Sequence, residues 1–271
     1  TPWVAAVGAV ARAKEVIDHS AVDEATRRRV EQTLAAITAA KQEAETKAAT
    51  AAKDERMTAE LEKLAFSQLR LTTKEGKSLF VSVNANDYEQ AFRTYYDIDL
   101  SRLEDAENRI RASAIKPRLV AALDAWIPLR SDASARRELA DLADRLSEPD
   151  EFRRELREAL VKQDRARMRD LAKRDLSAFP PAVLSDLGLA LANSEAYEEA
   201  VMLLKPAQQL YPNDFGINFE MGNCLMHCPG ELGLGRSDEA IPFYRVAVAL
   251  RSKNQTAHVG LAVALQEQGR S

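Results

Sequence analysis

Residues 181–227 read PAVLSDLGLALANSEAYEEAVMLLKPAQQLYPNDFGINFEMGNCLMH, and the spacing inside this stretch decides the fold. Leu184, Leu187, Gly188 and Leu191 mark one helix; Ala200, Leu204 and Ala207 mark a second, which Pro212 closes because proline cannot continue a helix. A period of about 34 residues then brings Met221, Gly222 and Leu225 into the first pattern, and Ala240, Tyr244 and Ala247 into the second. Small residues at Gly188 and Ala200 let paired helices approach closely, and Ala207 lets the next pair pack. Twelve positions separate Gly188 from Ala200 and eighteen separate Gly222 from Ala240, so six extra residues interrupt the second unit, around Pro229–Gly235. A third unit begins near Gln255, with Leu261, Ala262, Leu265 and Gly269 in register, and the sequence stops at Ser271.

Outward from the repeat, the chain reads as helix throughout. No proline stands between Trp3 and Lys116, and eight of the ten glycines lie at or beyond Gly188. The first 70 residues are rich in Ala, Glu, Lys, Gln and Arg, the strongest helix formers. They predict a helix from about Pro2 to about Asp18 and a second from about Val22 to about Leu71. In the second, Val30, Leu34 and Ile37 follow a 4-3 spacing, and Met57, Leu61, Leu64 and Leu71 resume it after an alanine-rich waist. This fits a helical hairpin or a dimeric coil. Thr72–Asn86 breaks the pattern. Leu79–Val83 alternates like a strand but has no evident partner, so the segment reads as a linker loop and no β-hairpin is expected. Asn86 or Asp87 then caps a helix carrying Tyr88, Phe92 and Tyr95 on one face. Further amphipathic helices are expected at about 105–113, 117–129, 133–146, 150–162 and 164–174.

The fold class is therefore all-α: a coiled-coil or helical hairpin over 1–71, a linker over 72–86, a helical domain with degenerate repeat-like hairpins over 87–180, and repeats over 181–214, 215–254 with the insertion, and 255–271 in part. Phe152–Phe179 reads as a degenerate unit preceding the array, and Pro206 is expected to bend its helix.

Composition bounds the function. A net charge of −4, from 38 basic and 42 acidic side chains, gives no field for nucleic acid or anionic lipid. No apolar run approaches the roughly 20 residues needed to span a bilayer. Two cysteines exclude a disulfide scaffold, and Cys224 and Cys228, four residues apart, suit reduced thiols in the cytoplasm. The start at Thr-Pro-Trp reads as part of a longer chain.

A period near 34 residues with these small positions is the signature of tetratricopeptide (TPR) helix pairs. The motif order extends the likeness. Tyr88-Glu-Gln-Ala-Phe-Arg-Thr-Tyr-Tyr-Asp-Ile-Asp-Leu is followed by Arg109-Ile-Arg-Ala-Ser-Ala-Ile, Ala121-Ala-Leu-Asp-Ala-Trp126, Pro180-Pro-Ala-Val-Leu, Tyr211-Pro-Asn-Asp-Phe-Gly-Ile-Asn-Phe219 and Ala247-Val-Ala-Leu-Arg-Ser. Together they resemble the C-terminal region of planctomycete-type bacterial serine/threonine protein kinases that carry TPR repeats, from about Leu61 onward. The resemblance implies a kinase domain N-terminal to this region and a signalling role. No Gly-rich phosphate loop, His-Arg-Asp run or Asp-Phe-Gly occurs here, so catalysis is not expected of this chain.

Chemistry-bearing residues are few. Cys224, His227 and Cys228 are compact enough for zinc, but a tetrahedral site wants a fourth ligand, and the two cysteines fit the packing pattern of an inner helix. His19 and His258 have no evident partner. The run Arg165, Arg167, Arg169, Lys173, Arg174 is interrupted by Asp164, Asp170 and Asp175 and reads as a solvated face. No cofactor or metal is expected. What remains is the concave face of the repeat, where the register places Ser185, Leu189, Asn193, Phe219, Asn223, Met226, Val259, Val263 and Gln266. The expected function is a non-catalytic scaffold that binds a protein or peptide partner there; the alternative is a regulatory module that senses a small molecule between helices. The lysines that clamp an acidic C-terminal tail are missing. The cut at Ser271 is expected to leave Val259, Leu261, Val263 and Leu265 as an apolar strip, open to self-association, as is the coiled segment.

Overall fold

A computed structural model describes residues 2–19, 23–66, 69–72, 78–81, 83–228 and 236–269. The six-residue insertion expected around 229–235 lies outside the described residues. The chain divides into two compact units, residues 1–56 and 57–271.

The first unit holds α1 (Pro2–Asp18) and most of α2 (Glu24–Phe66). Asp23 starts α2 by accepting the Thr26 N–H at 2.9 Å. Val30, Leu34, Ile37, Lys41 and Ala44 are half-buried at the 4-3 spacing, and Ile17 of α1 is buried. Trp3 lines a shallow cleft with Ala36, Ile37 and Ala40. The remaining surface of α2 is solvated and carries i,i+4 pairs such as Glu24–Arg28 at 2.8 Å and Glu43–Lys47 at 2.6 Å.

The second unit starts with the last turns of α2, where Met57, Leu61 and Leu64 are buried. The expected linker is corrected here. Leu69–Thr72 (β1) and Ser78–Val81 (β2) pair antiparallel, Leu69 opposite Val81 and Thr72 opposite Ser78. The partner strand that the alternating Leu79–Val83 segment lacked is the stretch read as the end of α2; that helix stops at Phe66 instead. β1 runs beside the last helix of the chain.

Twelve-residue α3 (Ala85–Tyr96) begins with a capping box. Asn84 accepts the Asn86 N–H, and Asp87 reaches back to the Asn84 N–H, so the cap sits two to three residues before the expected one. There follow α4 (Leu103–Ala112), α5 (Lys116–Trp126) with a 3₁₀ turn to Leu129, α6 (Ala133–Leu146), α7 (Glu151–Lys162) and α8 (Arg165–Ala172). Asp132, Asp150 and Asp164 each cap the next helix by accepting an N–H of its first turn. Tyr88 and Phe92 of α3 pack on Trp126, with ring centroids 6.0 and 5.7 Å away.

From Pro181 the chain continues as α9 (Pro181–Asn193), α10 (Tyr197–Leu210), α11 (Phe215–His227), α12 (Ser237–Leu250) and α13 (Gln255–Gln268). α10 packs between α9 and α11, and α12 between α11 and α13. The inner layer runs α5, α9, α11, α13. The neighbour of α9 in that layer is thus α5, whereas α8 of the supposed preceding hairpin packs against α10. Pro206 lies inside α10 and Pro242 inside α12, and both helices run on through them. No helix among the described residues is long and apolar enough to cross a membrane.

Glycines mark the closest approaches. A Cβ on Gly188 would stand 2.8 Å from Leu204 Cδ2, one on Gly222 3.0 Å from the Tyr244 ring, and one on Gly260 2.6 Å from it. Below about 3 Å a neighbour has to move. At the last helix, Ala257, Gly260 and Ala264 face α12 and are buried, while Ala262 is exposed and Val259 and Leu265 are 42% and 40% exposed. The exposed stripe of α13 therefore follows 259, 262, 265. Leu261 and Val263, expected on it, are half-buried instead, because positions two apart cannot share a helical face.

Gly188→Val and Gly222→Val are expected to destabilise the protein by roughly 1–3 kcal/mol each through overpacking. Gly8→Ala is the control, since its Cβ would meet only the flexible end of Arg12. Thermal melts check this: valine variants melting with the wild type would show the helix register to be misread.

Candidate functional site

The inner face is not an open groove. The last turns of α2 lie on it: Leu61, Glu62 and Ala65 form one wall of a cavity of about 440 Å³ whose other walls come from α5 and α9 and the start of α11. Glu62 spans the face, with Arg118 of α5 at 3.4 Å and Arg251, in the turn before α13, at 3.7 Å. Arg251 also lies over the Phe215 ring at 4.3 Å.

The residues expected on the concave face meet different fates. Ser185 and Leu189 line the cavity. Asn193 donates its side-chain N–H to the Ala125 carbonyl at 2.8 Å. Phe219 is core, stacked on Phe215 at 5.8 Å and edge-on to Tyr244 at 6.1 Å. Asn223 is buried and Met226 half-buried. On α13, Val259 and Gln266 are exposed and Val263 is half-buried, and none of the three lines the cavity.

Two acids absent from the sequence expectations dominate the site. Asp186 lines the cavity and, among the described residues, has neither ion pair nor hydrogen bond. Burial foremost, and then the charge of Asp124, raise its carboxyl to about 7 against the opposing pull of Arg153 and Arg118. Glu220 of α11 is 0% exposed, and neither of its oxygens has a hydrogen-bond partner. Burial pushes it up to about 8, Asp186 adds to the push, and Asn223 opposes it. Tyr88 faces both acids and Asn193, and its hydroxyl is raised mainly by burial. Each is the one acidic side chain of its helix, with no basic Lys or Arg beside it there, and that isolation is the signal by which sequence could have found them.

No protein-family model matches this chain, and no curated protein does.

The basic run Arg165–Arg174 is exposed, as a solvated face requires, and its arginines also pair with acids of other helices. Arg165 and Arg169 hold Glu199, which is 0% exposed, at 3.2 and 2.8 Å. Arg167 and Arg174 hold Glu155 of α7, Arg174 at 2.7 Å. Arg157, buried, grips both oxygens of Asp124 at 2.6 and 3.0 Å, with Asp144 at 2.6 Å. Such a charge is tolerable in the interior only because it is paired and hydrogen-bonded.

Cys224 and Cys228 are buried, which raises both thiols, Cys228 to about 12. His227 hydrogen-bonds through Nδ1 to the Asn223 carbonyl at 2.7 Å and stacks on Tyr197. His19 and His258 likewise meet backbone carbonyls, of Glu15 and Ser252, at 2.8 Å each. Among the described residues no group of three or more His, Cys, Asp or Glu is arranged to hold a metal ion.

A raised carboxyl makes stability depend on pH in a defined sense. Below about pH 4 Asp186 and Glu220 are protonated whether the chain is folded or not. Above that, the unfolded carboxyl ionises while the folded one keeps its proton until about 7 or 8. Stability therefore falls as pH rises across this window, by at most about 1.4 kcal/mol per unit for each group. Urea midpoints are expected to drop between pH 5.5 and 8, and Glu220→Gln is expected to flatten the drop and stabilise the protein at pH 8. A flat wild-type profile would show Glu220 to be ionised and solvated.

Proposed function

We propose that this chain is a non-catalytic interaction scaffold of TPR type, the regulatory region of a bacterial serine/threonine kinase, and that it binds a protein segment along its inner face. The TPR reading is supported by the repeated pairing of Gly188 with Leu204 and Gly222 with Tyr244, each a close approach within one helix pair. The kinase association rests on the motif order alone.

One observation carries the binding reading: the inner face already holds a helix. The 4-3 series Met57, Leu61, Leu64 is buried in the second unit, with Glu62 engaged by two arginines of the inner layer. A surface that seats an amphipathic helix within one chain has the shape and charge to seat another, as helix-in-groove recognition requires. A partner would then either extend beside α2 along α13, where Val259 and Gln266 are open, or displace its last turns.

Position-specific photo-crosslinking tests the reading. A crosslinking side chain at Gln266 or Val259 of the intact protein, in the cells that make it, is expected to capture one protein species. The same probe at Arg245, exposed on α12, is expected to capture none. Equal capture from both places, or none from the inner face, sinks the reading.

A further inference from the structure

We propose that the cavity beside Asp186 is a binding site for an organic cation rich in N–H donors, an alkylammonium or alkylguanidinium group, with the Asp186 carboxylate as its counter-ion.

The argument is one of unmatched acceptors. Asp186 opens onto the cavity without an ion pair or hydrogen bond among the described residues. Glu220, close enough for the charge of Asp186 to act on it, is wholly buried with both oxygens unpartnered, though it does not itself line the cavity. Buried acceptors are nearly always satisfied in folded proteins, by protein, water or ligand. A guanidinium carries five N–H donors and an ammonium three, and neither carries an acceptor.

The surrounding charges narrow the choice. The three arginines of the cavity already face carboxylates: Arg118 and Arg251 turn to Glu62, and Arg153 lies 3.7 Å from Asp150. Asp124 is gripped by Arg157, and Asp214 caps α11 by accepting the Ile217 N–H. Asp186 alone among the acids lining the cavity has no such partner. An anionic ligand would have to displace these pairs and face the Asp186 carboxylate. A metal ion fits less well, since no three metal-ligating side chains converge among the described residues. The walls by Ala65, Ala121 and Ala182 are apolar and small, suited to a short alkyl chain.

A proton should move with the ligand. The groups facing Asp186 are Asp124 and Arg118 of α5, Arg153 of α7, Asp214 ahead of α11, Glu220 of α11, and Tyr88 of α3. The empty carboxyl titrates near 7, and a bound cation favours its ionised form, so binding tightens as pH rises toward neutrality and releases a proton.

Calorimetry on the whole chain tests this, with n-butylguanidinium and n-butylammonium as probes, butyrate and butyramide as controls, and a peptide bearing a single arginine. Saturable binding of the cations alone is expected, with proton release seen as a dependence of the heat on buffer ionisation. Asp186→Asn is expected to weaken binding roughly tenfold or more without lowering the melting temperature, and Ala182→Trp to block it sterically. Tighter binding of the peptide than of the free cations would assign the site to a partner's side chain, and the reverse to a small molecule; both support the shared chemistry. Butyrate binding as well as butylammonium, unchanged affinity in both variants, or no saturable cation binding would overturn it. The site is independent of the scaffold reading: crosslinking from Gln266 can succeed where the cation test fails.

Discussion

Paired helices in the second unit approach so closely that an inner helix must present a glycine where it crosses a large side chain of its outer neighbour. At Gly188 the large partner is Leu204; at Gly222 and Gly260 it is Tyr244, which serves two inner helices at once. This constraint fixes the angle and depth of packing, because a ring wedged between two helices leaves no room for sliding. It also fixes what lies on each side. With the outer helices seated on glycine and alanine, the opposite edge of α9 and α11 is turned toward α5, α3 and the end of α2. The acids Asp186 and Glu220 sit in that direction, where burial outweighs the pull of Arg153 and Arg118 on Asp186.

The cost of holding Glu220 there is offset by protonation rather than by pairing. That differs from the treatment of charge elsewhere in the same unit. Arg157 is buried with two carboxylates and a serine hydroxyl, and Glu199 with two arginines. Where the fold buries a charge for structure, it supplies the opposite charge from a neighbouring helix. Around Asp186 and Glu220 it does not. Structural ion pairs also shift carboxyls, downward, as at Glu155 and at Glu158, which Arg137 and Lys162 lower to about 2. The upward shift at the inner face marks a place where solvation is missing and no ion pair among the described residues replaces it.

Much of the fold was legible from residue spacing, for a physical reason. Helix ends are local: the caps at Asp132, Asp150 and Asp164 act within three residues of themselves, so α6 and α7 lie close to where their sequence puts them. The glycine register was legible because it repeats. What was not legible depends on groups far apart in the chain. The strand at Ser78–Val81 looked solitary because its partner, Leu69–Thr72, continues the apolar series of α2 and reads as helix until the pairing is seen. The arginines from 165 to 174 are exposed as their spacing suggests, but their ion-pair partners, Glu155 and Glu199, lie on other helices and could not be read locally. The site suffered in the same way. Ser185 and Leu189, taken from the repeat register, line the cavity, but that register is silent about what covers it. The lone acids at positions 186 and 220 were overlooked in a search for residues that attract a peptide.

Glu62 ties these features together. It is the one side chain of α2 held by arginines from two separate parts of the inner layer, Arg118 and Arg251, and its own exposure is partial. Each pair is long and half-solvated, so neither contributes much alone. Their value lies in what happens when the last turns of α2 leave: two arginines lose their shared carboxylate, while the apolar seam of Met57, Leu61 and Leu64 meets water. The apolar loss is the larger, on the order of 1.5–3 kcal/mol for each side chain fully exposed.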